Sequence, residues 1–206
     1  SELNKHMPAQ SPAMNVMMGA ATKAARSLRR DFGEVENLQV STKGPGDFVS
    51  NADLKAEKTI YEELSKARPG YGFLMEENGE IEGADKTHRW IIDPLDGTTN
   101  FLHGIPIFSI SIALERDGAL VAGLVYNPIT DEMFHAEKGI GAYLNNRRIR
   151  VSARKKIEES VFATGIPHTG RAGAPQFFTD METMLPKVAG IRRFGSAALD
   201  LAYVAS

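Results

Sequence analysis

The chain has 206 residues, enough for one ample hydrophobic core or for one and part of a second. A formal net charge of -2, with "RRIR" (147–150) and "RKK" (154–156) as the only notable basic runs, argues against nucleic acid as the default ligand. With no cysteine, disulfides, thiolate nucleophiles and zinc-thiolate sites are excluded, and a reducing cytoplasm is the expected location. No apolar run approaches the roughly 20 residues that span a bilayer, and no signal-peptide core is present, so no membrane partner is expected.

The opening segment, residues 1–13, shows no periodicity and reads as a tag or a disordered leader. Ser11-Pro12 then supplies a helix cap and first helical position. Val16, Met17, Ala20, Ala21, Ala24 and Leu28 recur at three- and four-residue spacing up to Gly33, which predicts an amphipathic helix. A second helix is expected over about 51–67, with Ala56, Ile60 and Leu64 on one face and "RPG" (68–70) as its stop. Between the two, "STKGPGDFVSNAD" (41–53) is rich in Gly, Pro and polar residues and reads as a loop.

From Gly72 onward the texture changes to short β-rich runs, "GFLMEE", "RWIID", "FSISIALE", "ALVAGLVYN", "EMFHAE" and "AYLN". Hairpin signals at "RDGA" (116–119) and "NPITDE" (127–132) join several of them, which predicts a largely antiparallel sheet after two helices. A further strand at "SVFATG" (160–165), a helical stretch near 175–187 and "GIRRFGS" (190–196) follow. The last segment, "SAALDLAYVAS", places Ala198, Leu201, Ala202 and Ala205 on one helical face and stops without a Gly cap. Residues belonging to the fold are therefore expected after Ser206.

The densest chemistry lies in "WIIDPLDGTTNF" (90–101), where an apolar run ends on Asp93 and Asp96. Pro94 has no N–H to donate, so the strand is expected to end and the backbone to turn there. In such a turn both carboxylates and the Leu95 carbonyl converge, offering the hard oxygen ligands that Mg²⁺ prefers. Gly97 and Thr98 follow at an expected helix start, where backbone N–H groups suit an anion. Upstream, "MEEN" (75–78) ends another apolar run on Glu76 and Glu77. Four acids brought together without a cation repel one another strongly. The spacing of three with an intervening Pro separates this motif from the D-x-D-G-T of aspartyl-phosphate phosphatases. The five histidines show no metal-ligand spacing, Ser196 lacks a nucleophile elbow, and "GPG" (44–46) lacks the G-K-[ST] of a phosphate loop.

"MEEN" followed by "WIIDPLDGTTNF" resembles the signature of the inositol monophosphatase family, Mg²⁺-dependent and lithium-sensitive phosphatases related to fructose-1,6-bisphosphatase. "KGPGDFVSNAD" (43–53), "FATGIPHTGR" (162–171) and "RRFGSAALDLAYVA" (192–205) resemble its bacterial SuhB branch. The resemblance implies an α+β fold layered α/β/α/β/α, with residues 14–150 as an N-terminal metal-binding domain and 151–206 as the beginning of an incomplete C-terminal α/β domain. It also implies two or three Mg²⁺ ions: Glu76, Asp93 and the Leu95 carbonyl at the first, Asp93 and Asp96 at the second, Glu76 sharing a third. Thr98 with Asp53 would orient or deprotonate the attacking water, and the Gly97 and Thr98 amides would hold phosphate. Ala197 would touch the inositol, Glu77 would flank the site, and Lys43 would attract substrate phosphate.

The family completes its second metal site with an Asp in a W-D-x-A-A-G motif, and that motif lies outside these 206 residues. The implied reaction is hydrolysis of myo-inositol 1-phosphate. Fructose 1,6-bisphosphate, histidinol phosphate and a 3′-phosphoadenosine nucleotide stand as alternative substrates. The resemblance further implies a homodimer and, for the SuhB branch, association with RNA polymerase in antitermination.

Overall fold

The computed structural model describes residues 10–34, 40–44, 47–167 and 172–206, with side chains of 40–44 and 47–50 outside that description. Most of the 1–13 leader therefore lies outside the described residues. Helix α1 (Pro12–Phe32) begins where Ser11 caps it, the serine hydroxyl accepting from the Met14 N–H at 3.1 Å, and Gly33 closes it. Its buried stripe is Met14, Met17, Ala20, Ala21, Ala24, Ala25 and Leu28, the predicted face with Met14 and Ala25 added and Val16 only half-buried, and its small residues let α2 (Asn51–Ala67) approach closely.

The 41–53 segment is not a plain loop. Strands β1 (Val40–Gly44) and β2 (Asp47–Ser50) pair antiparallel, with Val40 opposite Ser50, and α2 starts at Asn51. Composition hid this hairpin because its strands are only four or five residues long and mostly polar or Gly, with Phe48 and Val49 adjacent and so giving no alternating apolar period.

Strands β3 (Gly72–Met75), β4 (Gly79–Ile81), β5 (His88–Asp96), β6 (Ser109–Arg116), β7 (Ala119–Asn127), β8 (Glu132–Glu137), β9 (Gly141–Leu144) and β10 (Arg147–Arg148) form one sheet in the order β10-β9-β8-β7-β6-β5-β3-β4. Consecutive antiparallel neighbours run from β5 to β10, while β3 lies parallel to β5. The β6–β7 turn is the Asp117-Gly118 pair, both at positive φ (52° and 75°), as a tight hairpin with strand-matching twist requires.

On one sheet face Trp90, Ile92, Ile110, Ile112, Leu124 and Tyr126 meet α1 and α2. Alternation sends Val125, Phe134 and Leu144 to the other face, where they pack on Leu199 and Ala202 of α5 (Ala197–Val204). Between β10 and α5 lie β11 (Val161–Ala163), α4 (Ala174–Met184) and β12 (Gly190–Arg192), with β11 and β12 paired in parallel. Among the described residues no helix is long and apolar enough to cross a membrane.

Strand β5 does not stop at Pro94. Its pairing with β6 runs through Asp93 opposite Ser111, breaks, and resumes at Asp96 opposite Ser109. Three steps on β5 thus span two on β6, a one-residue bulge, which is one of the few places a sheet admits proline.

Ile112 is fully buried at the centre of the helix-facing core. Ile112→Ala is expected to cost roughly 2–5 kcal/mol of stability, read as a lower midpoint in urea denaturation with an unchanged slope.

Candidate active site

In a regular strand, residues three apart point to opposite faces. The bulge between Asp93 and Asp96 restores their phase, so both carboxylates turn to one side at the end of β5. Asp93 Oδ1 accepts from the Leu95 N–H at 3.1 Å, tying the bulge to its own first acid. Parallel strand β3 ends beside it: Met75 pairs with Ile92, and the Glu76 N–H donates to the Ile92 carbonyl at 3.2 Å. Glu76 is then the next step along the ladder, level with Asp93, and their carboxyl groups share a hydrogen bond.

The electrostatics follow from that geometry. Burial, then the negative charges of Glu76 and Asp96, then the hydrogen bond to Glu76 push the Asp93 carboxyl up to about 8, against the opposing pull of the Leu95 amide. Among the described residues no three acidic or histidine side chains form a ready metal shell. Burial and the neighbouring carboxyls of Glu76 and Asp96 thus disfavour charge on Asp93. The donor set, carboxylates with a backbone carbonyl nearby, is all hard oxygen and fits Mg²⁺.

The Thr98 hydroxyl lies 3.0 Å from the Leu95 carbonyl oxygen and 3.3 Å from Asp53 Oδ2, donating its one proton to these acceptors. The Leu95 carbonyl keeps a second lone pair for another partner. Asp53 arrives from the first turn of α2 and is buried. Gly97 precedes the short helix α3 (Thr98–Leu102) at φ 99°, and a Cβ there would come within 3.0 Å of the Ile107 carbonyl and 3.1 Å of the Gly195 carbonyl. Only glycine serves both conditions.

Asp96 reaches across the fold to α5. Its Oδ2 accepts from the Ser196 hydroxyl and from the Ala198 N–H, each at 2.7 Å. Ser196 caps α5 through Leu199 N–H and is fully buried, with Ser109 Oγ at 3.2 Å behind it. A carboxylate at a helix N-terminus is favoured by the first-turn amides and the helix dipole. Ala197, between those two donors, is exposed beside Asp96. Asn100 Nδ2 donates to the Ile107 and Phe194 carbonyls, both at 2.7 Å, fastening the loop before Ser196 to the α3 turn.

Glu76, Asp93, Leu95, Asp96, Gly97, Thr98, Asp53 and Ala197 are thus gathered at one end of the sheet. Glu77 is half-buried next to Glu76, and the Lys43 side chain lies outside the described residues. Asp200, one turn into α5, is pushed up by burial and then by Asp96, with Arg193 opposing. Its Oδ1 is buried without a hydrogen-bond partner among the described residues. Sequence reasoning missed Glu57, Ser109, Ser196 and Asn100. Two signals were present: an acid on the apolar face of α2 one turn after Asp53, and the Ser that precedes an Ala-rich helical face.

A family model described as the inositol monophosphatase family matches residues 9–206. The chain is 62% identical over 198 residues to a Mesorhizobium japonicum protein called inositol-1-monophosphatase, covering 96% of this chain and 74% of that one. It is 39% identical over 195 residues to the Nus factor SuhB of Escherichia coli, covering 95% and 73%. The crystal structure of the extragenic suppressor protein suhB from Bartonella henselae superposes with a TM-score of 0.92 at 63% identity, over 94% of this chain and 74% of that one.

The folded Asp93 carboxyl keeps its proton up to about 8, whereas an unfolded Asp releases it near about 3.9. Between those values the folded state binds the extra proton, so the stability of metal-free protein falls as pH rises across that window. Asp93→Asn is expected to flatten that slope and raise the metal-free midpoint near neutral pH, checked by thermal melts in chelator across the pH range.

Proposed function

The chain belongs to the inositol monophosphatase family, and from that premise we propose that it is an inositol-phosphate phosphatase, a phosphoric monoester hydrolase that uses Mg²⁺ to convert myo-inositol 1-phosphate and water to myo-inositol and phosphate. The observation that carries the metal reading is the convergence of Glu76, Asp93 and Asp96 at the ends of β3 and β5, where burial and the two neighbouring acids push the Asp93 carboxyl up to about 8. Acids that disfavour one another's charge at such close quarters are poised to bind a cation that offsets it.

In this reading Glu76, Asp93 and the Leu95 carbonyl would hold one ion, Asp93 and Asp96 would hold a second, and Glu76 would contribute to a third. Bound Mg²⁺ supplies positive charge that lowers the pKa of water and offsets charge on the departing oxygen. Asp53 accepts from the Thr98 hydroxyl and so turns the Thr98 oxygen lone pair toward the attacking water. The Gly97 and Thr98 amides receive the phosphate oxygens, and the Gly97 conformation sets their direction. Water oxygen bonds to phosphorus as the phosphorus–oxygen bond to inositol breaks, and the inositol oxygen takes up a proton. Ala197 meets the sugar ring, while Glu77 and Lys43 support the approach of substrate. Lithium sensitivity, a homodimer and a cytoplasmic location belong to the same proposal.

A second reading is favoured by the relatives called Nus factor SuhB, at 39–42% identity: a binding role at RNA polymerase. The two are separable, because capture of polymerase by Asp96→Asn protein would show binding independent of the metal site.

Phosphate release from myo-inositol 1-phosphate is expected to require Mg²⁺ and to fall by about a hundredfold or more in Asp96→Asn, equivalent to roughly 3 kcal/mol of lost transition-state stabilisation. Faster turnover of fructose 1,6-bisphosphate, histidinol phosphate or a 3′-phosphoadenosine nucleotide would reassign the substrate. Mg²⁺ affinity is expected to rise with pH toward about 8, since binding displaces the Asp93 proton; calorimetry in buffers of different ionisation enthalpy counts that proton.

A further inference from the structure

Helix α2 buries two acids one turn apart. Asp53 meets Thr98, whereas Glu57 is fully buried on the stripe of Ala52, Ala56, Ile60 and Leu64. Among the described residues no Lys or Arg forms an ion pair with Glu57, so its charge is met by amide donors alone. Oε2 accepts from the Glu77 N–H at 2.9 Å, and Oε1 accepts from the Asn78 N–H at 3.0 Å and from Asn78 Nδ2. All three donors belong to the three-residue turn between β3 and β4, in which Met75 pairs with Gly79.

That turn carries Glu76. Its own N–H is held by the Ile92 carbonyl, and the next N–H along the chain is held by Glu57, so hydrogen bonds fix the amides on both sides of the Glu76 Cα. With both flanking amides held, the direction of the Cα–Cβ bond is set, which fixes where the Glu76 side chain starts; its carboxyl meets that of Asp93. We propose that Glu57 is the positioning residue for Glu76, a buried carboxylate that orients a metal-binding carboxylate without touching metal or substrate. The proposal rests on the metal reading above.

The chemistry explains why a carboxylate is used where another negative charge near an acidic site is otherwise unfavourable. Two backbone N–H groups approach two different oxygens, and a carboxylate is acceptor at both. A Gln of the same shape has one oxygen and one NH₂, so one backbone donor would face another donor. Groups that orient metal ligands in this way change metal affinity by about tenfold to a hundredfold when altered.

The test compares wild type, Glu57→Gln and Asn78→Ala. Glu57→Gln is expected to raise the Mg²⁺ concentration for half-maximal phosphate release by about tenfold to a hundredfold, with kcat largely recovered at saturating Mg²⁺. Calorimetric Mg²⁺ affinity should weaken in parallel. In metal-free protein the amides of Glu77 and Asn78 should exchange faster with solvent while those of Ile110 and Ile112 keep their protection. Asn78→Ala, which removes only one donor from an exposed side chain, should shift Mg²⁺ dependence in the same direction by a smaller factor and serves if Glu57→Gln fails to fold. Wild-type Mg²⁺ affinity in a folded Glu57→Gln, or in Asn78→Ala alone if the first variant does not fold, overturns the proposal, as does faster exchange spread evenly over the whole sheet. A wild-type protein that releases phosphate without Mg²⁺ instead sinks the metal reading on which the proposal stands.

Discussion

Strand parity governs this molecule. Residues three apart on a regular strand cannot serve one site, yet Asp93 and Asp96 do, because β5 gains one residue over β6 between them. Pro94 sits in the irregular step, where its missing N–H leaves no gap in the ladder. Everything at the site is referred to that step: Leu95 closes it onto Asp93, Thr98 bonds back to the Leu95 carbonyl, and Asp96 emerges level with Ser109 and within reach of Ser196. Burial of Asp93 and then the mutual repulsion of the acids are the cost of this arrangement, and both push the Asp93 carboxyl up.

Each acid is held by a different part of the fold. The β3–β5 pairing and α2 hold Glu76, the bulge holds Asp93, and the N-terminus of α5 holds Asp96. One Asp96 oxygen, Oδ2, accepts from both the Ser196 hydroxyl and the Ala198 N–H. The Gly97 turn rests against the Gly195 carbonyl, so the start of α3 and the loop leading into α5 are in contact through two residues that lack side chains. Such dense fastening is what holding several like charges within one small volume requires.

Much of this was legible locally. Helix α1 announced both its ends through Ser11-Pro12 and Gly33, and the Asp117-Gly118 turn through its φ requirements, because both signals are encoded within a few residues. The acids of the site were legible for the same reason, since Asp93, Leu95, Asp96, Gly97 and Thr98 are neighbours in the chain. The bulge was not, because a proline after an apolar run reads equally as a strand end. Strands β1, β2 and β4 are short or fully exposed and carry almost no apolar period. Glu57 and Ser196 act through contacts 20 and 100 residues away, and no spacing rule reports such partners.

The clamp on Asp96 also bears on how the protein assembles. The Glu57 contacts with the 77–78 turn close loops of 20 and 21 residues, and the Thr98 contact with Asp53 one of 45. The two bonds from α5 to Asp96 span 100 and 102. Longer closures carry a larger entropic cost and form later, and a chain made from its N-terminus presents Glu76, Asp93 and Asp96 before Ser196 exists. The acidic end of β5 therefore stands without its α5 donors at that stage of synthesis, and protons or cations are what offset its charge until α5 docks.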